Sequence, residues 1–207
     1  MAKRLSILLL ATVSAVVFAT PAQAGLLTGL LPGLVSPADS PSTCDTNMTQ
    51  PFKPWRDSAY YVLVPGGSFE PGGPAWKSSG GARIVRGNES FYVRSKKDRY
   101  SLHMPAGSSV ITPPSCFAAG HWKMRFFATG GGTVRVQVRV KSLLGLLSIL
   151  DGGTVRSGST WKPSPEIGLL VTNLGGILAT DSISFRLIAK GGSVRVDDVY
   201  LDPWKST

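Results

Sequence analysis

The stretch Thr133-Val-Arg-Val-Gln-Val-Arg-Val-Lys141 decides the fold class. Valine occupies every second position, and the residues between the valines are arginine and glutamine. Because successive side chains of a β-strand point to opposite faces, this pattern predicts a strand with one apolar face and one basic face. Shorter runs of the same period, separated by glycine or proline turns, follow one another from Ala59 onward and are typical of an all-β sandwich.

The same period of two predicts further strands at residues 59–64, 82–86, 90–94, 101–104, 121–129, 166–172 and 182–189. A last strand at 193–201 follows the turn Lys190-Gly191-Gly192, and we expect it to form a β-hairpin with strand 182–189. Residues 143–150 lack this period. Leucine and isoleucine surround Gly145 there, which allows either a short amphipathic helix or a buried loop.

The composition agrees with a β-rich globular protein. Of the 207 residues, 43% are hydrophobic and only 16% are charged, which excludes a disordered polar chain. Glycine, with 24 residues, and proline, with 15, are too frequent for a helical bundle. Lysine and arginine number 22 against 12 aspartates and glutamates, so the chain is basic, with a formal net charge of +10.

Residues 1–24 have the features of a secretory signal peptide. Lys3 and Arg4 precede an apolar run over residues 5–19, and Ala22-Gln23-Ala24 is a small-residue cleavage site. The run is shorter than the ~20 residues that span a membrane. We therefore expect cleavage after Ala24 and a secreted, extracellular or cell-envelope protein whose mature chain has no transmembrane span.

Two segments follow the leader. Residues 25–43 are rich first in leucine and glycine and then in proline and serine, so they are predicted to be flexible. Residues 44–207 are predicted to form a single β-sandwich domain.

The chain has two cysteines, Cys44 and Cys116, and both belong to the predicted exported part. In an oxidising compartment an even pair is expected to form a disulfide, and closing a loop of this length stabilises by roughly 4 kcal/mol. The only histidines, His103 and His121, lack the spacing of a zinc site.

The C-terminal strand contains an irregularity. Val194 and Val196 share one parity, whereas Val199 and Leu201 share the other, so the phase slips at Asp197-Asp198. A β-bulge produces such a slip. Two adjacent carboxylates there need a nearby positive charge, from a basic side chain or a bound cation; alternatively, one is solvated and the other forms a salt bridge.

Two segments together resemble a known family. They are Leu63-Val-Pro-Gly-Gly-Ser-Phe-Glu70, with Trp76 after it, and Val196-Asp-Asp-Val-Tyr-Leu201. They resemble the two ends of carbohydrate-binding modules of the galactose-binding-like jelly-roll class; the residues between match only in strand rhythm. The resemblance implies a jelly-roll β-sandwich whose first and last strands are neighbours.

The resemblance also implies a structural calcium ion. Carried over to this chain, Glu70 and Asp198 would be its side-chain ligands, with Asp197 as the substitute and backbone carbonyls near Gly67 completing the shell. Calcium prefers six to eight oxygen ligands, which such a set can supply together with water. The chain departs from the family pattern at Gly66, where the family often has asparagine.

In this class, sugars stack on exposed aromatic rings that have polar neighbours. The candidates here are Trp161, Trp122 and Tyr92, each of which could instead be structural. The outward row of Arg135 and Arg139 could attract an anionic polysaccharide, or serve solubility alone. Lys141 belongs to the same row, and Lys123 and Arg125 would extend it if strand 121–129 is a neighbour. No fingerprint of a nucleic-acid-binding domain occurs.

No hydrolase, nucleotide-binding or metalloprotease motif is present. Glu89 and Glu166 could supply the two carboxylates of a glycosidase, but both lie in loop-like contexts. The sequence therefore favours a non-catalytic carbohydrate-binding protein. The alternative is a structural or adhesive envelope protein that uses the jelly roll as a scaffold and associates through the leucine-glycine arm and apolar patches such as 143–150.

Overall fold

Two antiparallel sheets pack their apolar faces against each other in the computed structural model, which describes residues 47–115, 121–142, 144–170 and 180–202. A single turn of 3₁₀ helix, Lys53–Trp55, precedes the strands. The strands are β1 Val62–Leu63, β2 Lys77–Ser79, β3 Arg83–Arg86, β4 Tyr100–Met104, β5 Ser109–Ile111, β6 His121–Thr129, β7 Thr133–Ser142, β8 Leu147–Arg156, β9 Lys162–Pro163, β10 Ile167–Leu170, β11 Thr180–Lys190 and β12 Val194–Asp202. The predicted all-β jelly-roll sandwich is confirmed.

The seven-stranded sheet has the order β10-β6-β12-β4-β3, with β1 added to β12 and β9 added to β6. The five-stranded sheet has the order β2-β5-β11-β7-β8. The core lies between them, because alternate residues of each strand point inward. The valines of β7 and the apolar residues of β11 meet Trp122, Met124 and Phe126 of β6 there, and all of these are buried.

Most predicted strands agree with the structure, since β3, β4, β6, β7, β11 and β12 begin and end within about two residues of their predictions. Residues 90–94 are not a strand but a loop. Of the stretch 143–150, the described residues 144–150 form neither a helix nor a buried loop, because β8 begins at Leu147 and its leucine and isoleucine side chains are largely exposed. Because β8 is an edge strand that carries apolar residues on its outer face as well, its sequence does not alternate between apolar and polar residues.

The predicted hairpin between the last two strands is wrong. β11 pairs with β5 and β7 in one sheet, whereas β12 pairs with β4, β6 and β1 in the other. The turn after Lys190 uses Gly191 at φ 68°, and it carries the chain from one sheet across to the other. Alternation fixes which face of a strand looks into the core, but not which sheet the strand joins.

A second apolar cluster covers the outer face of the seven-stranded sheet. We call it the aromatic cluster; its buried members are Phe52, Tyr61, Phe127 and Tyr200. Arg125 lies beneath it, only 7% exposed, with its guanidinium 4.3 Å from the centre of the Phe52 ring. The expectation that Lys123 and Arg125 extend the Arg135 row is therefore wrong, because β6 belongs to the opposite sheet.

A buried ion pair anchors the segment before β1 to this sheet. Arg125 Nη1 lies 2.5 Å from Asp57 Oδ2, which also accepts a hydrogen bond from the Tyr61 hydroxyl at 2.7 Å. Burial alone would raise the pKa of Asp57, but the hydrogen bonds from Tyr61 and Arg125 outweigh it and lower that pKa. Arg125 also donates to Ser164 O from Nε and Nη2, at 3.0 and 2.7 Å.

The predicted bulge is confirmed. The register of β12 against β6 shifts between Asp197 and Tyr200, and Asp198 has a φ of 46°. Residues other than glycine rarely adopt this left-handed conformation, and they often do so where a side chain has a specific role.

Several predictions concern residues outside the described ranges. They are the signal peptide, the leader and both cysteines, so cleavage at Ala24 and a Cys44–Cys116 disulfide stay predictions. No helix in the described part of the chain is long and apolar enough to cross a membrane.

Candidate functional site

The outward face of the five-stranded sheet carries most of its charge as cations. Pairing in this sheet sets Arg139 between Ser184 of β11 and Ile149 of β8, and Gln137 between Arg186 and Asp151. We call this surface the basic face; its cationic residues are Lys77, Arg135, Arg139, Lys141, Arg156, Arg186 and Lys190. Among the outward residues described on this sheet, Asp151 is the only acid and none is aromatic.

The cations of the basic face differ in how they are held. Arg135 Nε lies 3.2 Å from Asp151 Oδ1, and Arg186 Nη2 donates to Ser109 Oγ at 3.0 Å. Arg139 has no hydrogen-bond or ion-pair partner within the described ranges. The atoms Gln137 Oε1 and Arg186 Nε are buried without a partner there. The face therefore has hydrogen-bond donors and acceptors that have no partner among the described protein groups.

A depression of about 250 Å³ lies at one end of this face. Its polar lining consists of six side chains, and alanine, isoleucine, leucine and proline side chains supply the rest; the six are Lys77, Thr112, Arg139, Lys141, Ser182 and Ser184. Cations and hydroxyls side by side can hold the carboxylates and hydroxyls of an acidic sugar.

The predicted aromatic ligands lie on the other side of the sandwich. Trp161 is half-buried against the aromatic cluster, and the Arg195 guanidinium lies 5.6 Å from the centre of its ring. Tyr92 is 44% exposed in the loop that precedes β4. The predicted ligand residues therefore form two separate groups, with Arg135 and Arg139 on one sheet and Trp161 and Tyr92 on the other.

Trp122 is not a ligand candidate. It points inward from β6 and is 0% exposed, with its ring 6.3 Å from that of Phe185 in the core. The prediction that Trp122 contacts a sugar is wrong because the even-numbered residues of β6 face the opposing sheet.

A groove that the sequence did not reveal lies beside the aromatic cluster. It is lined by Gln50, Pro51, Pro54, Trp55, Phe91 and Val93. The rings of Trp55 and Phe91 meet edge to face, with centroids 4.8 Å apart. Its aromatic side chains, Trp55 and Phe91, come from segments far apart in the sequence, so no local motif could predict the groove.

The two ends of the domain meet as the resemblance implies. Beyond β1, Val64 N donates to Val199 O at 2.9 Å, and Val199 N donates to Gly67 O at 3.0 Å. A Cβ on Gly67 would lie 2.8 Å from Val199 O, so only glycine fits this approach. The opening turn thereby brings Glu70 to the region of the Asp197-Asp198 bulge.

Asp198 is a buried carboxylate that has no partner among the described residues. It is 1% exposed, and neither of its oxygens has a hydrogen-bond partner in the described part of the protein. Burial raises the pKa of Asp198 to about 7, and the negative charges of Glu89, Asp98 and Glu70 contribute to the rise. Buried carboxylates are normally hydrogen-bonded or paired, so this one fits a ligand of a cation.

Asp197 has a different role from its neighbour. Its Oδ2 accepts a hydrogen bond from Glu89 N at 2.8 Å, and its Oδ1 accepts one from Asp198 N at 2.9 Å. Burial, followed by the charge of Asp198, raises the pKa of Asp197 to about 9. Because both oxygens already bind backbone groups, Asp197 shapes the bulge and Asp198 is the better ligand candidate.

Glu89 is a residue whose importance the sequence did not show. It is 0% exposed, and its carboxylate accepts hydrogen bonds from Phe91 N and from Val93 N, the latter at 2.8 Å. It therefore organises the loop that carries Tyr92. A buried Glu89 does not suit a glycosidase pair, and Glu166 instead forms a salt bridge of 2.9 Å with Lys123.

Glu70 has one engaged oxygen. Its Oε1 accepts hydrogen bonds from Arg99 N at 2.6 Å and Tyr100 N at 2.8 Å, while Oε2 has no partner in the described ranges. No three His, Cys, Asp or Glu side chains among the described residues form a metal-binding group. A cation near Asp198 would therefore also need backbone carbonyls and water.

No protein-family model matches the chain, and no curated protein sequence matches it. Solved structures do. The CBM22-1 and GH10 modules of Clostridium thermocellum xylanase 10B, solved with xylohexaose, match with a TM-score of 0.50 at 11% identity. That match covers 69% of this chain and 28% of the xylanase chain, so this chain spans less than a third of its length.

Two further similar structures are isolated modules. The CBM22-1 xylan-binding domain of Paenibacillus barcinonensis Xyn10C has a TM-score of 0.46 at 8% identity, covering 70% of this chain and 94% of its own. The family 11 module of a Clostridium thermocellum cellulase has a TM-score of 0.41 at 18% identity, with 68% and 93% covered. At these identities the likeness concerns the fold alone, and the fold of this chain is the jelly-roll β-sandwich of carbohydrate-binding modules.

Proposed function

We propose that this protein is a non-catalytic carbohydrate-binding protein whose basic face binds an anionic polysaccharide. The observation that carries the proposal is the composition of that face, where seven cations oppose one aspartate and no described outward side chain is aromatic. A neutral sugar is usually held by stacking on rings, which this face does not offer. Carboxylated or phosphorylated sugars would gain from charge-assisted hydrogen bonds to arginine.

The fold supports sugar binding in general. The similar structures are mostly binding modules rather than catalytic domains, and one was solved with xylohexaose. Xylohexaose and xylan, the ligands named for the two xylanase modules, are neutral, so the preference for an anionic chain rests on the side chains of this protein.

The test compares two polymers that differ only in charge, namely polygalacturonate and its carboxyl-reduced, neutral form. Affinity is measured by isothermal titration calorimetry at low salt and again at about 1 M salt, where the screening length falls to about 3 Å. We expect binding of polygalacturonate at low salt, loss of most of it at high salt, and weak or no binding of the neutral form.

A matched pair of variants locates the site. Arg139→Ala removes a cation from the basic face, and Arg83→Ala removes one from an exposed position of β3 in the opposite sheet. We expect only Arg139→Ala to weaken binding. Equal affinity for the two polymers would contradict the proposal, and so would equal losses in the two variants, which would indicate attraction by net charge alone.

A second candidate surface is the side of the sandwich that carries the aromatic groove, Tyr92 and Trp161. The observation in its favour is that Phe91 and Tyr92 are both 44% exposed next to Trp55. Exposed rings of this kind suit stacking on a neutral sugar. Binding of a neutral glycan that Phe91→Ala abolishes and Arg139→Ala leaves unchanged would favour this surface over the basic face.

The proposal includes a structural calcium ion. Asp198, with its two unpartnered oxygens, and Glu70, through Oε2, would hold it together with backbone carbonyls and water. Its charge would offset the mutual repulsion of Glu70, Glu89, Asp98 and Asp198. A calcium ion there would tie the opening turn to β12, which is a role in stability and not in sugar recognition.

The proposal also includes export. A secreted or cell-envelope location would bring the basic face to a wall or environmental polysaccharide, and it depends on the predicted signal peptide ending at Ala24.

A further inference from the structure

The hairpin that joins β7 to β8 presents apolar side chains on a fixed backbone. Ser142 N donates to Leu146 O at 2.8 Å, Gly145 N donates to Ser142 O at 2.9 Å, and Leu146 N donates to Ser142 Oγ at 3.1 Å. Leu144 is nevertheless 80% exposed and Leu146 is 69% exposed. The turn is held in a conformation that directs these two leucines into solvent.

The apolar surface continues onto the outer face of β8. Leu147 is 49% exposed and Ile149 is 48% exposed. We call Leu144, Leu146, Leu147 and Ile149 the leucine tip. These four are half of the eight large hydrophobic side chains found exposed in the described ranges, and they are concentrated in one corner. Exposed apolar residues that cluster in this way mark interaction surfaces, whereas isolated ones do not.

The chemistry of the leucine tip suits hydrocarbon. Its side chains are all aliphatic and offer no hydrogen bond to a sugar, and they protrude from the end of a hairpin. Lys141 and Arg139 are the cross-strand partners of Leu147 and Ile149, so cations lie beside these apolar side chains on the same face. Apolar residues with basic ones beside them are an arrangement with which proteins bind the interface of an anionic membrane.

A second copy of the chain is a poorer partner for this surface. Two leucine tips that met face to face would bring Lys141 and Arg139 of each copy toward their counterparts. Like charges at such a contact oppose association, whereas an anionic lipid surface attracts both groups. The excess of cations over acids, which remains after Lys3 and Arg4 leave with the predicted signal peptide, acts in the same direction.

We propose that the leucine tip inserts into the interface of an anionic lipid bilayer, with Lys141 and Arg139 against the lipid headgroups. This surface shares Arg139 and Lys141 with the basic face, but the four aliphatic side chains of the leucine tip offer no hydrogen bond to a sugar, so substituting Leu144 and Leu146 tests the membrane proposal alone. The two together would hold the protein at a membrane surface while the rest of the basic face stays open to a polymer.

Co-sedimentation with vesicles tests the proposal. The probes are vesicles of phosphatidylcholine alone and vesicles of phosphatidylglycerol mixed with phosphatidylcholine. We expect binding to the mixed vesicles only. Burying a leucine side chain contributes about a factor of ten to a partition constant, so Leu144→Ser with Leu146→Ser should lower binding by roughly a hundredfold.

The control variant is Ile84→Ser, which changes an aliphatic residue that is 54% exposed on β3, in the opposite sheet. It should bind vesicles as the unchanged protein does. Because all three side chains are exposed, thermal unfolding should be unaffected, and polygalacturonate binding by the leucine double variant should persist. Failure of the membrane proposal is thereby distinguishable from failure of the polysaccharide proposal.

Three results would overturn the membrane proposal. They are equal binding to both vesicle types, binding that the double leucine variant retains, and self-association in sedimentation velocity that the double variant abolishes. The last result would assign the leucine tip to a second copy of the chain.

Discussion

Asp151→Asn should strengthen binding of an anionic polysaccharide, although it alters no cation. The Asp151 side chain is 57% exposed, lies 3.2 Å from Arg135 Nε, and is the only acid among the described outward residues of the basic face. Removing its charge abolishes a repulsion toward the polymer and releases Arg135 for the ligand. Arg139→Ala makes the opposite change in charge nearby. Gln137 of β7 is the cross-strand partner of Asp151, and Arg139 lies two residues after Gln137 on the same strand.

The expected magnitudes are modest and opposite in sign. Pairs of exposed charges change an equilibrium constant by up to about fivefold. We therefore expect polygalacturonate to bind about threefold more tightly to Asp151→Asn than to the unchanged protein. It should bind about threefold more weakly to Arg139→Ala. Isothermal titration calorimetry at about 0.01 M salt, where the screening length is about 30 Å, measures both. Unchanged or weaker binding by Asp151→Asn would refute the reasoning, because a polyanion bound to this face must be repelled by the Asp151 carboxylate.

Three further predictions concern other parts of the molecule. Asp57→Asn leaves Arg125 buried without its anion, so the free energy of unfolding in urea should fall by about 3 kcal/mol at neutral pH. Because the pKa of Asp57 is lowered in the folded protein, this difference should be complete above the ordinary value of 3.8 and shrink as the pH falls below it; a pH-independent difference would contradict the ion pair. Calcium at about 100 times its dissociation constant should stabilise the unchanged protein by about 2.7 kcal/mol in thermal unfolding but leave Asp198→Asn unaffected; an undiminished response in that variant would exclude Asp198 as a ligand. Trp161→Ala should not alter polygalacturonate affinity, since Trp161 lies on the opposite sheet, and a loss measured by calorimetry would move the site there.

The sequence predicts most strands because alternation is a local property. β7 and β6 were placed almost to the residue from their period of two, and the bulge at Asp197-Asp198 follows from a change of parity within one strand. The alternation did not predict β8, because Leu147 and Ile149 are apolar although they lie on its outward face.

The choice of sheet could not be predicted in the same way. Arg125 and Arg135 have similar alternating surroundings, yet Arg125 is buried beneath a segment that begins some seventy residues earlier, while Arg135 stays at the surface. The burial of Glu89 could not be predicted for a related reason: its partner Asp197 is 108 residues away, and nothing near Glu89 in the sequence indicates burial. Such contacts depend on strand order, which the alternation of side chains does not encode.

Chemical-shift mapping of backbone amides during titration with oligogalacturonate tests the central claim most directly. The basic face predicts that the largest changes fall on outward positions of β7, β11 and β8, centred on Arg139 and Arg186, and that they vanish at high salt. Changes confined to the aromatic groove around Trp55 and Phe91, or an equal response to a neutral oligosaccharide, would contradict it.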